Sequence, residues 1–111
     1  VILVTGEVDI IASPNKDTTY GIYNGSPNMA KVTGTGCMLS VLAAAFVGAN
    51  PEAPLEAAAA AVCMMGLCGE RAAASLTGGE GTGTLRIRLM DAVSNMTGEE
   101  LDQGANYELY C

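Results

Sequence analysis

The chain has no histidine. That removes Cys/His zinc pairings and any nucleophile that depends on an imidazole base, Ser–His and Cys–His alike. Basic residues are also scarce: five Lys and Arg stand against twelve Asp and Glu, giving a net charge of −7 with no basic cluster. Nucleic-acid binding draws its affinity from Lys and Arg on phosphates, so this balance argues against it, and against docking to an anionic membrane surface. The longest apolar run in the helical half, Ala57 to Gly69, falls short of the roughly 20 residues that span a bilayer and reads as a buried helix, with no membrane role. There is no Gly-Lys-Ser/Thr phosphate loop, no internal repeat and no low-complexity segment. No initiating Met and no charged leader precede the first apolar run, Val1-Ile2-Leu3-Val4. The chain is therefore read as the C-terminal piece of a longer protein, a partial single domain over residues 1–111, expected to expose apolar sheet edge.

What is present suffices for a core. Half of the 111 residues are apolar and 15% are charged, a balance that can bury a core. The four cysteines, Cys37, Cys63, Cys68 and Cys111, show no disulfide framework. Free thiols in a core fit a reducing, cytoplasmic setting.

The first third reads as strands. Val1–Val4 has the continuous β-branched character of a strand buried on both faces of a parallel sheet. It stops at Thr5-Gly6, Glu7 and Asp9 follow, and Ile10–Ala12 resumes the apolar pattern. Ligands of open α/β sheets bind beyond the carboxyl ends of strands, so Thr5 stands where a hydroxyl can meet one, or serves ordinary turn chemistry. After the turn at 13–17, Thr18–Tyr23 is β-prone and Asn24-Gly25 is a turn pair, which together predict a β-meander along a sheet edge.

Helices follow. Gly36 to about Val47 is apolar nearly all round and is expected to be buried on most faces. A second helix runs from Pro54 to about Leu76, with alanines that permit close approach and with Met64 and Met65 as core filler. A glycine-rich loop, 77–84, precedes a helix to Met96 whose apolar stripe is Leu85, Leu89, Ala92, Val93 and Met96. Thr97-Gly98-Glu99-Glu100 has capping-box spacing. Residues 106–111 form a last strand or trail off.

The stretch that organises the chain is Val32-Thr33-Gly34-Thr35-Gly36-Cys37, where an extended segment meets a helix. Glycines there allow a sharp turn and close approach to a ligand. The first helical N–H groups have no intrahelical acceptor and carry the positive end of the helix dipole, which suits phosphate. Cys37 is the first reactive side chain beyond the loop, and a helix N-terminus favours the thiolate of a cysteine placed there. Read without its neighbours, it is also a small core residue.

Taken with Thr5-Gly6-Glu7-Val8-Asp9, Asn24-Gly25 and Gly81-Thr82-Gly83, the stretch Lys31–Cys37 resembles the hydroxyethylthiazole kinase family, whose fold is ribokinase-like. The order and spacing of these stretches match over essentially the whole chain. The wider ribokinase clan usually carries Asp where Cys37 stands, and the Cys points to the thiazole branch. The resemblance implies an α/β chain that forms the C-terminal part of a ribokinase-like α/β/α sandwich. It implies transfer of the ATP γ-phosphoryl group to the primary hydroxyl of 4-methyl-5-(2-hydroxyethyl)thiazole, a step of thiamine salvage, with ATP and Mg2+ required. By position, Cys37 matches the catalytic-base residue, Gly34 a backbone contact to the thiazole, and Thr5 a contact to ATP. Gly34, Thr35, Gly36 and Cys37 together match the anion hole. Metal ligands are not identified, and the family's N-terminal substrate-contacting Met and ATP-contacting Arg match nothing here. A homotrimer is implied for the full-length protein. Two alternatives stand beside this: another ribokinase-like small-alcohol kinase such as a hydroxymethylpyrimidine kinase, and a non-catalytic α/β anion-binding or oligomerisation module with Cys37 buried.

Overall fold

A computed structural model describes residues 1–111. The strands β1 (Ile2–Val4), β2 (Asp9–Ala12) and β3 (Thr19–Ile22) pair antiparallel in chain order, the expected meander, and β4 (Tyr107–Tyr110) returns from the C-terminus to pair with β3. The last residues thus form a strand.

Register decides what the sheet buries. Leu3, Ile11, Tyr20 and Leu109 lie in one row across it. Ile11 and Ile22, on that face, are fully buried. Side chains alternate along a strand, so Ile2, Val4 and Ile10 point to the other face, where Ile2 and Val4 remain 65% and 58% exposed. Here the structure corrects the expectation for Val1–Val4. In this chain the run pairs antiparallel with β2, and its Ile2 and Val4 face is open.

The helices α1 (Thr35–Ala49), α2 (Pro54–Ala74), α3 (Thr82–Asn95) and α4 (Gly98–Gly104) follow in order. Helix α2 is the centre of the core. It packs against the sheet and between α1 and α3, and fourteen of its residues, Met64 and Met65 among them, are buried. It is also long and apolar enough to cross a membrane, but 72% of its apolar window is buried inside the molecule. Small side chains allow this closeness. At Gly66 an added Cβ would lie 2.6 Å from the backbone carbon and oxygen of Asn24, well inside van der Waals contact.

Helix α1 departs from expectation. Only Leu39 is buried and Val41 is 71% exposed. Although the helix is apolar all round, only one side of it has a neighbour, α2. In α3, Leu85 and Leu89 reach the core while Ala92, Val93 and, just past the helix end, Met96 pack partly against it. The Thr97 capping box is present, with both reciprocal hydrogen bonds.

The glycine-rich loop after α2 is fastened, not free. Glu80 accepts from the N–H and hydroxyl of Thr77 at 2.7 and 2.8 Å and from the Arg88 guanidinium at 2.7 Å. The Thr77 donors, foremost, hold the Glu80 carboxyl below its ordinary value. A lowered folded-state value means the stabilisation is complete above the unfolded value of 4.5 and is lost as pH falls through the folded one. Glu80→Gln is expected to lower the thermal midpoint at neutral pH. Melting both proteins down a pH series should close that gap only below pH 4.5.

Candidate functional site

The ends of β1 and β3 and the start of α1 enclose a cleft of about 900 Å³. One wall is the β1–β2 loop, Thr5 to Asp9, and another is the segment Tyr23–Pro27. Thr35 and Gly36, at the mouth of α1, form a third, and Leu39, Val62, Met65 and Gly66 close the floor.

Each wall has a local cause. Helix α1 starts at Thr35 because Gly34, its N-cap, adopts φ +96°, a left-handed conformation that L side chains resist. No side chain caps this helix. The first-turn amides therefore keep their hydrogen-bonding capacity and the dipole's positive end. Before it, Ser26 caps a 3-10 helix, Pro27–Lys31, an element the sequence reading did not include. Ser-Pro at cap and first position was the available signal. On the opposite wall Asp9 turns back, accepting from the Gly6 N–H at 2.9 Å. Burial raises the Asp9 carboxyl above its usual value, and that amide opposes the rise.

The most connected polar residue of the cleft is Asn24, which the sequence offered only as half of a turn pair. Buried to 6% exposure, it donates from Nδ2 to Glu70 Oε2 at 2.8 Å and to the Gly104 carbonyl at 3.0 Å, and its Oδ1 accepts from the Asn106 N–H at 2.7 Å. It ties the cleft wall to α2 and to the loop before β4. No sequence pattern marks it, because its partners lie 46 to 82 residues away.

The predicted site residues divide between two hollows. Thr5, exposed, shares the polar cleft with Thr35 and Gly36. Gly34 caps the helix just behind them. Cys37, the third helical residue, is exposed and not sealed in the core. It lines a neighbouring apolar groove of about 520 Å³ with Met38, Val41, Leu42, Leu89 and Met90. Met65 borders both hollows. The other thiols differ in kind: burial pushes Cys63 and Cys68 up to about 11, which keeps them protonated and unreactive. No group of three or more His, Cys, Asp or Glu side chains comes together. Glu7 and Asp9 are the carboxylates at the cleft.

A cleft at strand ends, faced by an uncapped helix mouth, is the kind of site in which α/β proteins hold phosphate groups. Comparison with known proteins makes the assignment narrower. Residues 1–99 match the model of the hydroxyethylthiazole kinase family, and the chain belongs to that family. It is 49% identical to a hydroxyethylthiazole kinase of Clostridium acetobutylicum over 110 residues, covering 99% of this chain and 40% of that protein. It is 36% identical to the one of Natranaerobius thermophilus over 106 residues, covering 96% of this chain and 38% of that protein. The solved structure of hydroxyethylthiazole kinase protein from Pyrococcus horikoshii superposes with a TM-score of 0.81 at 29% identity, covering 97% of this chain and 40% of that one. The chain thus spans about two fifths of the length of the relatives it matches.

Proposed function

We propose that this chain is the part of a hydroxyethylthiazole kinase that cradles the phosphoryl group in transit: ATP is the donor, and the primary hydroxyl of 4-methyl-5-(2-hydroxyethyl)thiazole is the acceptor, in thiamine salvage. The observation that carries this is the meeting of Thr5 with Thr35 and Gly36 in one polar cleft, in a chain of this family. The setting is the cytoplasm and the full-length enzyme is a homotrimer, as the family resemblance implies.

Phosphoryl transfer asks a protein mainly for positioning and for stabilisation of charge on the transferred oxygens. The Thr5 hydroxyl holds the nucleotide. The amides of Thr35, Gly36 and Cys37, fixed by the Gly34 cap, face the moving group as an anion hole. Gly34 also meets the thiazole through its backbone, and the apolar groove beside Cys37 suits an uncharged ring. The acceptor oxygen forms a bond to the γ-phosphorus as the bond to the ADP oxygen breaks. Cys37 Sγ orients the hydroxyl and, when ionised, takes its proton. Glu7 and Asp9, the carboxylates that line the cleft, would hold a magnesium ion brought with the nucleotide, and that ion would neutralise charge on the phosphates.

Steady-state kinetics of the full-length enzyme test this. Thr5→Ala removes about 1 kcal/mol of hydrogen bonding and is expected to raise the KM for ATP roughly five- to tenfold, with the KM for the thiazole little changed. Cys37→Ala is expected to lower kcat by about a hundredfold or more, as loss of a positioned proton acceptor does. Phosphotransfer left intact by both changes would overturn the proposal and favour the non-catalytic module.

A further inference from the structure

Two glycines of α2, Gly66 and Gly69, lie three residues apart on one helix face, and each has a cleft element pressed into it. Asn24 backbone fills the space over Gly66. The Met29 side chain fills the space over Gly69: an added Cβ would meet its Sδ, and would lie 2.8 Å from its Cγ and Cε. Contact along the length of a side chain, not at its tip alone, makes this a fitted notch. Met29 belongs to the 3-10 helix that leads into the glycine loop. Its carbonyl accepts from the Val32 N–H at 3.1 Å and, at 3.5 Å, from the Thr35 hydroxyl. Thr35 is the first residue of α1 and lines the cleft.

We infer that Met29, seated in the Gly69 notch, is a positioning residue that holds the Thr33–Gly36 turn, and with it the first-turn amides of α1, at a fixed place on the cleft. The inference rests on the proposed phosphoryl-transfer site for its catalytic consequence, and on geometry alone for its mechanical one. Gly34 follows Met29 closely in the chain, and Gly34 itself, left-handed and with nothing within 4 Å of a Cβ position, gives the turn no packing of its own. The anchorage comes from the Met29 end. Asn24 on Gly66, hydrogen-bonded to Glu70 four residues further along α2, anchors the facing wall to the same helix. One rigid element thereby sets the separation of both walls.

The test compares Met29→Ala, Gly69→Ala and the two combined, in the full-length enzyme. The first readout is amide hydrogen exchange. The N–H groups of Val32 and Met38 are bonded to the Met29 and Gly34 carbonyls, and they report the turn. The N–H groups of Val62 and Leu67 report the α2 core. Met29→Ala is expected to speed exchange at Val32 and Met38 at least tenfold while the α2 amides keep their rates. In the combined variant the methyl introduced by Gly69→Ala occupies the emptied notch, so the thermal midpoint recovers relative to Gly69→Ala alone while fast exchange at Val32 and Met38 persists. Unchanged exchange at the turn, or equal acceleration everywhere, would overturn the inference, the second showing a purely structural role. If Gly69→Ala does not fold, Met29→Ala alone decides. The second readout, kcat well below the melting range, is expected to fall tenfold or more in Met29→Ala. Altered exchange in an enzyme whose wild type shows no phosphotransfer would leave the notch standing and remove only the proposed reaction.

Discussion

Gly34→Ala is expected to cut kcat for phosphotransfer by about a hundredfold in a protein that still folds. The methyl meets nothing within 4 Å, so no neighbour is displaced. What changes is the backbone. Gly34 has φ +96° and ψ +2°, and holding a residue with a Cβ in left-handed territory costs roughly 1–2 kcal/mol. The chain can relieve that strain by shifting the turn, and the Thr35 and Gly36 amides shift with it. Amides that must converge on a transferred group tolerate little: a displacement near 1 Å costs about a hundredfold. Gly36→Ala is the control, since Gly36 is inside α1 without a positive φ and also has open space around a Cβ. Its thermal midpoint should stay level or rise, because alanine favours a helix over glycine by roughly 1 kcal/mol.

The second large effect is on stability. Gly66→Ala should gain the same roughly 1 kcal/mol of helix propensity, yet the protein is expected to melt about 10 °C lower, given the several kcal/mol at stake and a chain of this size. The new Cβ would lie 2.6 Å from the carbon and oxygen of Asn24, and backbone atoms do not swing aside as a side-chain tip does. Overpacking of this kind costs typically about 1–3 kcal/mol. Here it also disturbs the three hydrogen bonds of Asn24, whose unsatisfied groups cost about 1–3 kcal/mol each when buried. Loss therefore exceeds gain. A midpoint raised by the substitution, as propensity alone dictates, would show that α2 and the Asn24 turn are not in contact.

Much of this structure was legible in the residues because the relevant physics is local. The Thr97 capping box, the glycine turn before α1 and the meander before Asn24-Gly25 all follow from neighbours a few positions apart. The β1 error came from the same source. A continuous β-branched run records that a strand forms, but not whether its second face is covered, and here Ile2 and Val4 face outward. Helix α1 repeats the lesson: its composition speaks of a partner on every side, and the structure supplies one side. The cleft was half legible. Thr5, Thr35 and Gly36, which line it, stood out by residue type, and the roles given to them are those the family resemblance implies. Asn24 and Met29 did not, because what defines them is distance across the fold. Their importance lies in glycines of α2 that, in sequence, look like interruptions of a helix.

Phosphate held between Thr5 and the mouth of α1 is the point on which the proposed reaction turns. The most direct measurement is a crystal structure of the full-length enzyme with a non-hydrolysable ATP analogue, magnesium and the thiazole alcohol. The terminal phosphate is expected within hydrogen-bonding distance of first-turn amides of α1, with the Thr5 hydroxyl on the nucleotide and the acceptor hydroxyl against Cys37 Sγ. A nucleotide bound elsewhere, with the α1 amides facing only solvent, would contradict it.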